Sequence, residues 1–118
     1  MKRKNKNIVP KNYLNKIPLR SDNISWKSNS TGIVTLEIKN LGLVNKIAQL
    51  LFKKPKISYV HLDKMGSFIW SLMDGKTNIT EIGKMVDAKF GEAAHPLYER
   101  LSKFFQIMDS YHLAKLVD

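Results

Sequence analysis

Three residues, Asp63, Gly75 and Asn78, punctuate the stretch KISYVHLDKMGSFIWSLMDGKTNITEIGKMV (residues 56–86) and leave it few ways to fold. Asp63 is a helix N-cap signal, since its carboxylate can accept the free amide protons of a first helical turn. Behind it Phe68, Ile69, Leu72 and Met73 recur at helical spacing with Trp70 nearby, which predicts a helix to about residue 73. Asp74-Gly75 stops that helix, glycine taking the left-handed conformation at no steric cost. Asn78-Ile79-Thr80-Glu81 opens a second helix, with a glutamate three residues after the cap. Ile79, Ile82, Met85, Val86 and Phe90 form its apolar stripe, and Gly91 its end.

A third helix opens at Pro96, with Glu99 placed where the helix dipole favours an acid. On a helical wheel Leu97, Tyr98, Leu101, Phe104, Phe105, Met108, Tyr111 and His112 cover nearly half the circumference, and Ile107 extends one flank. A core-facing helix needs an apolar stripe only somewhat over ~100° wide. Leu101, Phe105 and Met108 suffice for the core. Leu97, Phe104, Ile107 and Tyr111, with Arg100 beside them, form a candidate second contact surface, unless the strands or a lid cover that flank.

Upstream the period changes to two. Residues 23–27 alternate polar and apolar around Ile24 and Trp26, residues 28–32 are a turn cluster, and Val34, Leu36 and Ile38 share one face of residues 33–38. This is a hairpin. Residues 57–62 form a third strand, with Ile57, Tyr59 and His61 on one face and Val60 and Leu62 on the other. Between them Leu43, Ile47, Leu50 and Leu51 fall at helical spacing and end before Pro55, a short amphipathic helix read as a lid over the sheet. As a membrane-surface helix it is too short to hold alone. The expected fold is α+β: a three-stranded antiparallel sheet followed by a three-helix bundle, with an extra short helix between strands two and three. Residues 21–118 make the domain. Residues 1–20 read as a basic, flexible tail, with Tyr13, Leu14 and Ile17 packing loosely on it.

At 118 residues the chain fits one domain with a single modest core. It has no cysteine, and so neither disulfides nor a thiolate nucleophile or metal ligand. No apolar run approaches the ~20 residues that span a bilayer. The basic start lacks the apolar segment of a signal peptide, which predicts a cytoplasmic location. The net charge of +10 is uneven: residues 1–20 carry seven Lys/Arg and no acid, whereas residues 61–118 carry seven basic and eight acidic side chains. His61, His95 and His112 are scattered without a metal-ligand spacing. Ser67 and Ser71 read as helix-surface serines with no histidine in register. No residue set points to catalysis, a metal or a cofactor.

The string Leu62-Asp63-x-x-Gly66-x-x-Ile69-Trp70-x-x-x-Asp74-Gly75, then Thr77-Asn78-Ile79-x-Glu81-Ile82 and Leu101-x-x-Phe104-Phe105-x-x-Met108, resembles the PqqD family over roughly residues 20–117. These are peptide chaperones of pyrroloquinoline quinone (PQQ) biosynthesis, and the same module serves as the recognition element of many peptide-modifying systems. The resemblance implies a winged-helix-like fold and a non-catalytic role. A precursor's leader peptide would add as a strand beside Ile57, Ser58, Tyr59, Val60 and His61, pack along Leu97, Arg100, Phe104 and Ile107, and be presented to a modifying enzyme of radical-SAM or other type. Arg100 could pair with an acid of the leader. Two departures from the family's pattern are the apolar 41–54 segment in place of a short link, and His112 where a glycine often follows the third helix. The alternatives are nucleic-acid binding by the basic first half, or a homodimeric structural subunit pairing through the same edge. Specific nucleic-acid reading is not expected, because the polar side of the third helix offers two acids, one lysine and one glutamine to base edges. A monomer or weak homodimer without membrane attachment is the expected state.

Overall fold

The computed structural model describes residues 11–40 and 56–118. Its elements, in chain order, are α1 (Lys11–Leu14), β1 (Ile17–Arg20), β2 (Ser25–Ser28), β3 (Val34–Asn40), β4 (Lys56–His61), α2 (Lys64–Leu72), α3 (Ile79–Phe90), a 3-10 turn (Gly91–Ala94), α4 (Leu97–Ser110) and β5 (Ala114–Val117). The expected helix at 43–52 lies outside the described residues, as do residues 1–10. The chain is α+β with antiparallel sheets, as the sequence predicts.

Strands β2, β3 and β4 form a sheet in that order, with Trp26 opposite Leu36 and Leu36 opposite Val60. The β2–β3 turn closes because the Asn29 side-chain oxygen accepts from the amides of Thr31 and Ile33. Gly32 supplies the positive φ of 85° that the turn needs. Period two puts Trp26, Val34, Leu36, Ile38 and Val60 on the face toward the helices. There Leu36 and Trp70 are fully buried, and the Trp26 ring stands edge-on to Trp70 at 6.0 Å.

The caps form as the sequence predicts. Asp63 accepts from the Gly66 amide at 2.7 Å and Asn78 from the Glu81 amide at 2.9 Å. The Glu81 side chain turns outward to Lys84 at 3.3 Å. Asp74 accepts from the amides of Lys76 and Thr77, and these bonds hold its carboxyl below the usual aspartate range. Ser67 departs from expectation. It is buried, accepts from the Val34 amide at 2.8 Å and donates to the Leu62 carbonyl at 3.3 Å, so it ties α2 to β3. A buried amide at a strand end costs free energy unless something accepts from it, and a serine one turn into the helix reaches it. Ser71 is exposed.

Residues 11–20, expected as tail, are built into the domain. β1 pairs antiparallel with β5, Ile17 opposite Val117 and Arg20 opposite Ala114, making a second, two-stranded sheet that the expected three-strand architecture lacked. Pro18 is buried, Gly75 donates to its carbonyl at 2.9 Å, and Ile79 donates to the Lys16 carbonyl at 3.0 Å. The Arg20 guanidinium donates to the Trp70 carbonyl at 2.8 Å. An arginine aimed at the last carbonyls of α2 satisfies groups that a helix terminus leaves open.

Helices α3 and α4 meet closely where Gly83 lies under Tyr98, whose hydroxyl donates to the Thr80 carbonyl at 3.1 Å. A Cβ on Gly83 would stand 2.5 Å from the Tyr98 ring. In open space Gly→Ala would stabilise a helix by about 1 kcal/mol. Here overpacking reverses the sign. Gly83→Ala should destabilise by about 1–3 kcal/mol in urea unfolding, and combining it with Tyr98→Ala should remove that overpacking penalty.

Candidate functional site

The antiparallel ladder determines which backbone groups of β4 are free. The Leu62 amide donates to the Val34 carbonyl at 2.9 Å. Because bonded and unbonded pairs alternate, Val60, opposite Leu36, also turns its amide and carbonyl toward β3. Tyr59 and His61 therefore turn theirs to the other side. Among the described residues no strand pairs with β4 there. An edge strand with unpaired N–H and C=O groups is a template for an added strand.

Beside this edge a cleft of about 550 Å³ opens between the sheet and α4. Leu36, Ile38, Val60 and Leu62 line it from the sheet side, and Phe104, Ile107, Met108, Tyr111 and Leu113 from the helix side. Its rim is open to solvent, Val60 being 39% exposed, Ile107 48% and Tyr111 69%. Phe104 is half-buried, set edge-on to Phe105 at 5.4 Å and close over Gly66, where an added Cβ would stand 3.4 Å from its ring. Among the described residues, Asp63, His61 and the Tyr111 phenol are the ionisable groups of the lining. The Asp63 carboxylate is engaged in the cap of α2 and His61 Nδ1 lies 2.7 Å from the Thr35 hydroxyl. The cleft is therefore an apolar slot with a backbone edge along one wall.

The residues expected to bind divide into four groups. Val60, Phe104 and Ile107 come together in the cleft. Tyr59, 60% exposed, carries its side chain on the opposite face of the sheet and contributes backbone alone; His61 joins the lining while bonding Thr35. Ile57 and Ser58 belong to β4 by their backbone, and their side chains lie outside the described residues. Leu97 and Arg100 line a separate small cavity of about 100 Å³ with Met65, Ile69, Val86 and Leu101, which meets the cleft at Phe104. Arg100 donates to the Ala93 carbonyl at 2.6 Å, so its charge is anchored at the 3-10 turn. Leu36, Ile38, Leu62, Met108 and Leu113 are lining residues that the sequence does not single out for binding. The period-two face of β3 was the available signal for the first two.

The helical wall ends in a way that bears on the site. Leu113 donates to the Met108 carbonyl at 2.8 Å and His112 to the Asp109 carbonyl at 3.0 Å, the bond pair of a Schellman stop. His112 takes φ 61°, the left-handed conformation that glycine adopts freely. Thus α4 stops as it would before a glycine, and Tyr111 and Leu113 face the cleft on either side of the stop.

In this α+β domain a strand edge that no strand among the described residues pairs stands beside an apolar cleft. Residues 47–114 match the family model of coenzyme PQQ synthesis protein D (PqqD), more than half of the chain, and the protein belongs to the PqqD family. Neither curated proteins nor solved structures gave a match. The left-handed position of His112 costs a non-glycine residue about 1–2 kcal/mol, against the 0.5–1 kcal/mol of chain entropy that glycine forfeits. His112→Gly should accordingly raise unfolding stability by up to about 1 kcal/mol while leaving the amide signals of Val60, Phe104 and Ile107 unchanged.

Proposed function

We propose that this protein is a non-catalytic chaperone for a precursor peptide, taking the peptide's leader as an added strand on β4 and passing it to a modifying enzyme. The observation that carries the reading is the conjunction of outward-turned Tyr59 and His61 backbone groups with the Val60–Phe104–Ile107 cleft immediately beside them. A strand laid along that edge gains backbone hydrogen bonds without regard to its sequence. Its alternate side chains then fall into the cleft, which selects for large apolar residues at every second position. Family membership supports the same role in PQQ-type biosynthesis, with a winged-helix-like arrangement and a radical-SAM or comparable enzyme as recipient.

The cleft's own chemistry refines the proposal. Among the described residues its lining holds no Lys or Arg, so the leader's specificity rests there on apolar anchors, and past Phe104, Arg100 is the described cation that an acid of the peptide would meet. Three basic residues of the first half have partners within the chain: Lys16 meets Asp118 at 2.8 Å, Lys27 meets Glu37 at 3.9 Å, and Arg20 bonds α2. An extended peptide loses conformational entropy on docking, so the affinity should be on the order of micromolar, about −8 kcal/mol.

Ile107 rather than Phe104 is the position to test, because its exposure lets it change without loss of the fold. Ile107→Glu should keep the wild-type unfolding midpoint and weaken binding of synthetic leader segments, taken from precursor peptides encoded nearby, by at least about tenfold, or 1.4 kcal/mol. N-methylation of alternate peptide amides should weaken the wild-type complex similarly. Unchanged affinity in both experiments would contradict strand addition at this edge.

A further inference from the structure

The seam between sheet and helices has a second opening, at the hairpin end. A cleft of about 570 Å³ lies between the β2–β3 turn and helices α2 and α3. Its walls carry three aromatic rings, Trp26, Phe68 and Phe90, and two lysines, Lys64 and Lys89, and no Asp or Glu among the described residues lines it. Phe68 and Phe90 meet edge-on at 5.8 Å. The Lys89 ammonium lies 5.2 Å from the Phe68 ring centre and 5.9 Å from that of Phe90.

Two features distinguish this cleft from an ordinary solvated patch. Every ion pair among the described residues involves other side chains, so neither lysine has an acidic partner there. The ring faces hold the Lys89 ammonium in place without neutralising it, since a cation–π contact leaves its N–H donors available. In addition, these two positive charges stand in the half of the chain that carries seven basic and eight acidic side chains, so they are a local concentration and not a share of the general excess. Arg20, 5.4 Å from the Trp26 ring centre, adds positive potential behind the tryptophan.

We propose that this cleft docks an acidic segment of a partner protein, one in which carboxylates flank an aromatic or large aliphatic side chain. The apolar side chain would rest among Trp26, Phe68 and Phe90, and the carboxylates would meet Lys64 and Lys89. Charge complementarity is what selects this occupant. The two clefts accept opposite chemistries, an uncharged apolar strand at β4 and an acidic segment here, so both can be filled at once. The identity of the partner as the modifying enzyme rests on the chaperone reading above; the binding of an acidic segment does not.

The test uses the full chain, isotope-labelled, titrated with an acetylated and amidated pentapeptide Asp-Glu-Phe-Asp-Glu. Shifts are expected at residues 64–71 and 89–90 and at the Trp26 indole. They should be at least tenfold weaker in affinity with Ala in place of the peptide's Phe, and again in the variant K64E/K89E, whose two positions are exposed. A short oligothymidylate and vesicles containing anionic lipid serve as competing probes. Absence of peptide shifts at these residues, or stronger shifts there with either competitor, would overturn the proposal. Shifts at Tyr59 and Ile107 report the other cleft, so failure of one reading is distinguishable from failure of the other.

Discussion

Trp70 holds the two layers of this protein together. It is wholly buried on α2, faces the sheet where Trp26 and Leu36 are paired, and has the Trp26 ring edge-on to it. Large aromatic side chains dominate the energetics of a small core, and one placed at the centre of a three-stranded sheet sets the spacing of the layers around it. Away from that centre the helices diverge from the sheet. One opening results at the Val34 end, where Trp26 and Phe68 line it, and another at the Ile38 and Val60 end, where Phe104 and Ile107 do. The two clefts are thus consequences of how the core closes.

Local features of the fold were readable in the sequence because their causes are local. An aspartate or asparagine before an apolar period, with a glycine after it, specifies a helix end through bonds to residues three or four positions away. Asp63, Asn78 and Gly91 all act so. The β1–β5 sheet could not be seen the same way. Ile17–Arg20 and Ala114–Val117 are four residues each, without a clear period, and their pairing depends on ends that meet only once the helices have packed. Ser67 likewise reads as a surface serine on a helical wheel, and its role appears only when the Val34 amide arrives beside it.

The candidate site shows the same division. The surplus apolar width of α4 was legible, since no sheet of this size can cover half the circumference of a helix. Which part of the surplus remains open was not. A wheel places Leu97, Arg100, Phe104 and Ile107 on one flank, but the sheet stops partway along the helix. Phe104 and Ile107 therefore stand over Val60, while Leu97 and Arg100 meet α2 and the 3-10 turn. The helix stop at His112 illustrates a different point. A position that favours glycine can be filled by another residue when the bonds that close the helix, together with burial of Leu113, outweigh a strain of about 1–2 kcal/mol.

The proposed capture depends most on the β4 edge that no strand among the described residues pairs, and amide hydrogen exchange reads that edge residue by residue. In the protein alone, Tyr59 and His61 amides should exchange much faster than Val60, which is bonded to β3. Addition of a bound leader peptide should slow Tyr59 and His61 and leave Val60 nearly unchanged. Equal protection of all three amides before any peptide is added would contradict the account, because it would mean that the edge is already paired.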